Sequence, residues 1–511
     1  IGQQQQVLSR GVGHLLAQRA VGHVQQVRLA NALGERAELC AMIKTQGFVC
    51  RAVLRIDQMR VAVIPVSADR LSGIVFDLDQ AILAAGQALA SWSKTSVEIR
   101  AQYLNKIADG LEAIKADLSL LSHHNNGKPL YEAEIDLEDS IACFRYYADL
   151  IQRFPLHSLQ QHDNGIQTYL EKRAVGVVAL ITPWNFPLVT SAWKIAPALA
   201  AGCSIVFKPS EVVPLPELEL AKIIDAAQLP AGVFNLILGD ATAAQHLVQH
   251  PEVQKVSFTG STQVGINVMQ NAAPSMKRTT LELGGKSPIL VLADANLDDA
   301  VEKIISGVFY NAGQMCSATS RLLVDEQIAE ELLQKLRTAT EAMLLATAPI
   351  DQYPMGAITT HKQYLKIKEY LDIAQQEGLQ PLLDQAVFQI PEQGYFIAPH
   401  IFTNVPSSSR LWNEEIFGPV LCCQTFKTEA QAIEMANDNE YGLAATIMTG
   451  DVEHGQQIAS QLVAGHIWIN TIQIILPSSS WGGFKMSGIG RELGESGLEN
   501  YLENSIRTYL A

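Results

Sequence analysis

The feature that most constrains the fold of this chain is an alternation of short apolar segments with helical segments. Apolar segments separated by stretches of helical periodicity lie at 175–181, 204–207, 233–238 and 253–258. The alternation continues with an apolar segment at 289–291, a helical stretch at 297–309 and an apolar segment at 320–324. Neighbouring parallel strands need helical crossovers of this length between them. The sequence therefore predicts an α/β protein with two doubly wound parallel sheets and a cleft between two domains.

The charge of the chain argues against nucleic acid as a partner. The net charge is −15, and no basic stripe offsets it, so a phosphate backbone would be repelled. Residues 174–193 carry no charge and are long enough to cross a bilayer. Pro183 and Pro187 interrupt them, however, and free backbone groups that hydrocarbon cannot satisfy. We expect a buried strand followed by a loop, and no membrane span.

The cysteines and histidines argue against disulfides and a catalytic metal. The seven cysteines are odd in number and include no Cys-x-x-Cys pair, which favours free thiols in a reducing compartment. No signal peptide is evident, so a cytoplasmic location is expected. Because no His-x-x-x-His spacing contains an intervening Glu, we predict no metal site. Residues 1–75, with a glutamine run at 3–6, receive neither a fold nor a role.

Three segments carry residue types suited to chemistry. Cys316 follows a Gly-Gln turn among small residues, where a loop entering a helix could expose the thiol and lower its pKa. Glu282 lies between leucines and before two glycines, so its apolar setting should raise its pKa toward that of a general base. Asn185 is held between two prolines, and a rigid amide donor can stabilise an oxyanion by roughly 3 kcal/mol. Taken singly, each has a plainer interpretation: a buried thiol, a surface acid and a turn-forming amide.

Together with four further motifs, these segments resemble one family. The motifs occur in the order PWNFP (183–187), KPSE (208–211), FTGSTQVG (258–265), LELGGKSP (281–288), GQMCS (313–317), EEIFGPV (414–420) and WGGFKMSGIGRELG (481–494). From about Phe76 to its end the chain is similar to the aldehyde dehydrogenases. Residues 1–75 depart from the family, because they lack its usual strand hairpin and its Asn-Pro-Ala-Thr-Gly-like turn.

The resemblance implies a mechanism and a cofactor. Cys316 would attack the aldehyde, the Asn185 amide and the Cys316 N–H would hold the oxyanion, and Glu282 would activate the hydrolytic water. Lys194 and Glu492 match positions assigned to a proton relay, although a structural ion pair is the open alternative. NAD is expected rather than NADP, since a carboxylate beside the ribose would repel a 2′-phosphate. That carboxylate is one of the residues that match cofactor positions: Thr182, Trp184, Lys208, Ser210, Glu211, Gly239, Gly260, Ser261, Glu415 and Phe417.

Within the family the chain looks most similar to betaine aldehyde and aminoaldehyde dehydrogenases. Phe186, Trp193, Tyr310 and Trp481 match aromatic positions that could surround a cation, which ring faces attract. The alternative is that these rings form an apolar tunnel for aliphatic or aromatic aldehydes. His466 and the stretch 472–480 differ from the betaine aldehyde and aminoaldehyde dehydrogenases. The presence of a base at Glu282 argues against a related CoA-acylating or phosphorylating enzyme. The presence of Cys316, Glu282 and Asn185 together argues against a non-catalytic structural protein of the same fold.

The resemblance also implies a domain organisation. A NAD-binding domain would comprise 76–153 and 174–282, and a catalytic domain 283–483. A small β arm at 154–173 and 484–511 would pair subunits into a homodimer or homotetramer.

Overall fold

The structure is a computed structural model that describes residues 52–56, 59–63, 71–343, 354–391 and 393–510. Most of the unassigned segment 1–75, including Cys40, Cys50 and the glutamine run, lies outside the described residues. The described part of the chain has two large sheets covered by helices, and a small three-stranded sheet. This architecture confirms the predicted α/β class.

The larger sheet has eight strands in the order β1-β2-β7-β6-β5-β8-β9-β19. The strands are β1 (Ala52–Ile56), β2 (Met59–Val63), β5 (Val177–Ile181), β6 (Ser204–Lys208), β7 (Phe234–Leu238), β8 (Lys255–Thr259), β9 (Arg278–Glu282) and β19 (Gly488–Ile489). Its central strands are parallel, whereas β1 and β19 run antiparallel to their neighbours. The order of strands reverses between β5 and β8. In open α/β sheets this reversal opens a crevice at the carboxyl ends of the strands, where ligands bind.

The second sheet has seven strands in the order β12-β13-β14-β11-β10-β16-β17. The strands are β10 (Pro288–Val291), β11 (Arg321–Asp325), β12 (Gln380–Pro381), β13 (His400–Thr403), β14 (Val420–Phe426), β16 (Ala444–Met448) and β17 (His466–Ile469). All neighbours pair in parallel except β12 with β13. A short antiparallel pair, β15 (Tyr441–Gly442) with β18 (Phe484–Lys485), lies outside both large sheets.

Fifteen α-helices are described. They are α1 (Leu71–Trp92), α2 (Val97–Ala113), α3 (Lys115–Asn126), α4 (Leu130–Arg153), α5 (Pro187–Ala201), α6 (Leu215–Ala226), α7 (Ala241–Gln249), α8 (Thr262–Ala272), α9 (Leu297–Phe309), α10 (Ala329–Glu341), α11 (His361–Gln376), α12 (Arg410–Asn413), α13 (Glu429–Asn437), α14 (Val452–Ala459) and α15 (Gly494–Glu499). No described helix is both long enough and apolar enough to span a bilayer.

The uncharged stretch at 174–193 forms buried strand β5 and the first half of helix α5. Every residue of β5 is buried, as expected for a parallel strand covered on both faces. In α5 every residue except Trp193 is buried, and Pro187 occupies its first turn, where the missing N–H costs nothing. The apolar composition of this stretch therefore reflects burial in protein, as predicted.

The small sheet is formed by β3 (His157–Gln161), β4 (Ile166–Ala174) and β20 (Leu502–Leu510). β3 and β4 lie in the segment 154–173 that was predicted as part of an arm. The second predicted part, 484–511, was set too wide, because Gly488–Ile489 pair with β9 and α15 contacts α5. Within 482–494, β19 pairs with β9 of the larger sheet before the chain reaches β20.

Candidate active site

Asn185 lies in the loop that follows β5, at the point where the order of strands reverses. Its side chain is buried, and its Nδ2 atom donates a hydrogen bond to the main-chain oxygen of Gln314 at 3.0 Å. One of the two amide hydrogens is thereby fixed toward the loop that carries Cys316. The other hydrogen bonds to no described residue, and an amide hydrogen held in this way can donate to an oxygen near the same loop.

Cys316 follows an unusual turn at the end of α9. Asn311, Ala312 and Gly313 have φ values of 48°, 54° and 72°, all in the left-handed region. A Cβ atom on Gly313 would lie 2.1 Å from the main-chain oxygen of Gly418, so only glycine fits there. Cys316 is half-buried on the loop between this turn and β11.

The prediction that a helix N-terminus lowers the pKa of Cys316 is wrong. No helix follows this residue; the loop leads directly into β11. Desolvation, with smaller contributions from the carboxylates of Glu415 and Glu282, raises the pKa of the thiol to about 12. The thiol therefore holds its proton more strongly than an exposed cysteine does.

Glu282 is the last residue of β9, and its carboxyl group is buried with neither oxygen hydrogen-bonded to any residue that the structure describes. Burial, and next the charge of Glu492, raise its pKa well above the usual range, as the sequence predicts. The two glycines that follow allow close approach of neighbouring groups. A Cβ on Gly284 would meet the Glu415 carboxylate at 2.4 Å, and one on Gly285 the Cys316 main-chain oxygen at 2.6 Å.

Behind Glu282 lies a buried ion pair between Lys194 and Glu492. The hydroxyl of Ser257 bridges the two, donating to Glu492 Oε1 at 3.1 Å and accepting from Lys194 Nζ at 3.2 Å. Glu492 Oε2 has no partner among the described residues. These contacts bring both predicted relay residues into one network.

A cavity of about 1220 Å³ joins the predicted catalytic and substrate residues. The predicted site residues that line it are Trp184, Asn185, Phe186, Trp193, Gly260, Ser261, Glu282, Tyr310, Cys316, Glu415, Phe417 and Trp481. The other seven lie outside it: Thr182, Lys194, Lys208, Ser210, Glu211, Gly239 and Glu492. The thiol, the acid and the amide from three distant segments thus share one cavity.

Most predicted cofactor residues outside the cavity follow the carboxyl ends of adjacent parallel strands. Thr182 follows β5, Lys208 ends β6 and Gly239 follows β7. The hydroxyl of Thr182 is buried and has no hydrogen-bond partner in the described part of the chain. Lys208 Nζ lies 3.1 Å from Glu211 Oε2, which places a carboxylate beside the carboxyl end of β6.

Helix α8 begins directly after Ser261, and no side chain caps it. Its first N–H groups are therefore available to an anionic ligand. The free helix end, the unpaired Thr182 hydroxyl and the carboxylate beside β6 together fit a dinucleotide at the carboxyl edge of the sheet.

The four predicted aromatic residues form two ring pairs on the cavity wall. Phe186 and Tyr310 are stacked at 6.2 Å between centroids, and Trp193 and Trp481 lie 6.0 Å apart. Lys128 Nζ already lies 4.2 Å from the centre of the Phe186 ring. The ring centroids of His466 and Trp481 lie 5.5 Å apart, but His466 does not line the cavity. Burial lowers the pKa of the His466 imidazole.

Sequence reasoning missed the carboxylate of Asp139, which lines the cavity on helix α4. Burial, and next the charges of Asp136 and Glu138, raise its pKa to about 7. Among the described residues it has no ion-pair partner, whereas Asp136, one turn earlier, is paired with Lys128. The spacing of two acids three residues apart on a helix was the only available signal, and it is common on solvent-exposed faces.

A sequence model of the "Aldehyde dehydrogenase family" matches residues 72–506. The chain belongs to the aldehyde dehydrogenase family. A similar relative is "Betaine aldehyde dehydrogenase 1" of Oryza sativa subsp. japonica, 44% identical, with 83% of this chain and 86% of the relative covered. Another is "Aminoaldehyde dehydrogenase 1, peroxisomal" of Pisum sativum, 43% identical, with the same coverage.

Solved structures of this aldehyde dehydrogenase family share the fold. A betaine aldehyde dehydrogenase from Staphylococcus aureus in complex with NAD⁺ superposes with a TM-score of 0.82 at 36% identity, covering 85% of this chain and 87% of that one. The family and the fold predicted from the motifs are both confirmed.

Proposed function

We propose that this protein is a NAD-dependent aldehyde dehydrogenase that oxidises an aldehyde carrying a positive charge to its carboxylate. The observation that carries the proposal is the meeting of Cys316, Glu282 and Asn185 around one cavity at the reversal point of the larger sheet. A nucleophile, a base and an oxyanion donor are the groups that this reaction needs. A non-catalytic protein of this fold would have no use for all three.

The first half of the reaction forms a covalent bond to Cys316. The Cys316 thiol gives its proton to solvent in the open cavity as its sulfur attacks the aldehyde carbon, and the carbonyl oxygen becomes an oxyanion. Asn185 Nδ2 and the Cys316 N–H donate to that oxygen, because the bond from Asn185 to Gln314 holds the amide toward the loop. When bound, oxidised NAD accepts the hydride that leaves the former aldehyde carbon. Collapse of the thiohemiacetal in this way leaves a thioester on Cys316.

The second half releases the product. Glu282 takes a proton from a water molecule whose oxygen attacks the thioester carbon, the carbon–sulfur bond breaks, and the carboxylate departs. Its raised pKa makes Glu282 a stronger base than an exposed carboxylate. The pair of Lys194 and Glu492, bridged by Ser257, offers a route by which protons could leave.

The preference for NAD is assigned to Glu211. Its carboxylate is half-exposed and turned toward Lys208, where it can accept bonds from ribose hydroxyls and would repel a 2′-phosphate. Replacing Glu211 with Gln should raise kcat/KM with NADP by about tenfold and change that with NAD by less. Glu219→Gln, which removes another carboxylate paired with a lysine on α6, is the matched control. An unchanged ratio of NAD to NADP would remove Glu211 from this role.

The cationic substrate is supported by charge as well as by ring faces. The cavity is lined by Asp139, which has no ion-pair partner among the described residues, together with two aromatic pairs. A cation near Asp139 would favour its ionised form, and ring faces add about 0.5–2 kcal/mol each when the cation is desolvated. Because its pKa is lowered, His466 is neutral at pH 7 and does not oppose a cation. Betaine aldehyde and ω-aminoaldehydes are the substrates that fit.

A specific observation also favours a second function, broad oxidation of apolar aldehydes. Ile472, Ile474 and Ile475 line the cavity with aliphatic surface. Such a wall suits an alkyl chain and offers nothing to an ammonium group.

A panel of betaine aldehyde, 4-aminobutanal, hexanal and benzaldehyde decides between the two functions. We expect kcat/KM for the better of the two cationic aldehydes to exceed that for hexanal by about tenfold, measured as NADH formation. Asp139→Asn should lower that ratio, whereas Asp149→Asn, on the same helix but outside the cavity lining, should not. If hexanal is oxidised far faster than both cationic aldehydes, the second function replaces the first.

The small sheet and the cysteines bear on assembly and location. We propose that the three-stranded sheet pairs subunits into a dimer or tetramer, because Leu159 and Ile506 on its strands are exposed apolar residues. The five cysteines of the described residues are free thiols, which suits the reducing cytoplasm. Relatives with peroxisomal and chloroplastic names make other reducing compartments the alternatives.

A further inference from the structure

Glu132, on helix α4, is a buried acid that the mechanism above does not use. Its side chain is fully buried, and it does not line the active-site cavity. Oε2 accepts a hydrogen bond from the main-chain N–H of Asn311 at 3.0 Å, and Oε1 accepts one from the hydroxyl of Tyr131 at 3.1 Å. A carboxyl group completely removed from water needs a reason to be there.

The N–H that Glu132 binds belongs to the left-handed turn before Cys316. Helix α9 ends at Phe309, and the main-chain oxygen of Gly307, which one more helical turn would have paired with Asn311, instead accepts from the N–H of Thr319. The N–H of Asn311 therefore needs an acceptor from outside the turn. Left-handed conformations are unfavourable for residues with a Cβ, so this turn persists only if its surroundings hold it.

The side chain of Asn311 connects the turn held by Glu132 to Asn185, the proposed oxyanion donor. Its Nδ2 atom donates to the main-chain oxygen of Asn185 at 3.0 Å and to that of Gln314 at 3.3 Å. The Asn185 side chain in turn donates to the same Gln314 oxygen at 3.0 Å. Asn185 and the segment leading to Cys316 are thus both hydrogen-bonded to the residue whose N–H is held by Glu132.

We infer that Glu132 is a positioning residue: by accepting the Asn311 N–H it fixes the left-handed turn that sets the Asn185 amide and Cys316 in register. The inference rests on the proposed function and assigns a role to a residue that touches neither substrate nor cofactor. Burial raises the pKa of Glu132 to about 8, opposed by Lys128 and by the bond from Asn311, while Asp136 raises it further. Oε2 can accept the Asn311 N–H in either protonation state. The length of the side chain, which brings this oxygen to the N–H, therefore matters more for holding the turn than the charge of the carboxylate does.

Three substitutions of Glu132 separate the effect of side-chain length from the effect of charge. Glu132→Gln keeps an acceptor at the same distance and loses the charge. Glu132→Asp keeps the charge but is one methylene too short to reach Asn311. Glu132→Leu keeps the volume and removes the acceptor. The matched controls are Glu217→Gln and Glu217→Leu, because Glu217 on α6 is also fully buried and its oxygens have no hydrogen-bond partner among the described residues.

The measured quantity is the rate of the first NADH turnover with saturating aldehyde and NAD. We expect E132Q to stay within about threefold of the wild type, and E132D and E132L to fall by about tenfold or more, with little change in KM, since a buried N–H is left unpaired. Both Glu217 variants should retain the wild-type rate. Equal rates for E132Q and E132D would overturn the inference, as would losses in the Glu217 variants that match those at Glu132. If E132L does not fold, the Gln and Asp variants alone decide.

Hydrogen exchange of the peptide that contains Asn311 to Cys316 gives a readout that does not need activity. E132D and E132L should exchange faster there than the wild type, and E132Q and both Glu217 variants should not. A wild-type protein that oxidises none of the aldehydes would refute the proposed function while leaving this comparison intact. Unchanged exchange in E132D, in a protein that is active, would refute the positioning role alone.

Discussion

Replacing Cys316 with alanine should reduce NADH formation from any aldehyde by at least about 10⁴-fold, because no other group can form the covalent intermediate. The cavity contains no second cysteine among its lining residues, and the other four described cysteines are fully buried elsewhere. Since burial and two carboxylates hold the thiol neutral at rest, its reactivity depends on its position in the site. A loss this large with a folded protein would assign the nucleophile.

The control for Cys316→Ala is Cys203→Ala, which removes a fully buried thiol one residue before β6. Both variants should bind NADH, measured by the fluorescence of the cofactor, with affinities close to the wild-type value. Only Cys316→Ala should lose turnover. If Cys316→Ala retains more than about 1% of the wild-type rate while Cys203→Ala is unaffected, a covalent step on Cys316 is excluded.

The parallel strands and their helices could be predicted because burial on both faces leaves a simple pattern. The helix predicted at 297–309 is α9 with the same bounds, since its apolar residues recur at helical spacing and Asn296 caps its start. The strand predicted at 320–324 is β11, shifted by one residue. By contrast, β1 and β2 were not predicted, because the segment 1–75 has no clear periodicity.

The site itself could be predicted only by combining distant segments. Nothing local in TPWNFPL, TLELGG and GQMCS says that Asn185, Glu282 and Cys316 share a cavity; the resemblance to a family supplied that. The pKa of Cys316 was predicted in the wrong direction, because a flanking sequence does not show how deeply a thiol is desolvated. The left-handed turn at Asn311 and its acceptor Glu132 lie 179 residues apart in sequence, so neither could be inferred from the other.

The second large effect concerns Glu282, whose replacement by Gln should separate the two halves of the reaction. With the base removed, the thioester still forms, so mixing enzyme, NAD and aldehyde should release about one NADH per active site and then stall. Steady-state turnover should fall by about 10²- to 10⁴-fold, the range expected for loss of a general base. Because both oxygens of Glu282 are buried and make no hydrogen bond to a described residue, an amide of the same shape fits without breaking a hydrogen bond seen in the structure.

A nucleophile that needs no general base should restore turnover of Glu282→Gln, and this restoration would show that only the hydrolytic step had been lost. Hydroxylamine added to the stalled Glu282→Gln protein should cleave the thioester, release a hydroxamate and restore NADH formation in proportion to its concentration. Glu217→Gln, which neutralises an equally buried carboxyl group on α6, should turn over at the wild-type rate and gain nothing from hydroxylamine. A variant at Glu282 that turns over at the full steady-state rate would show that another group activates the water. A variant with no first turnover would instead place Glu282 in the formation of the thioester, as the group that takes the proton of Cys316.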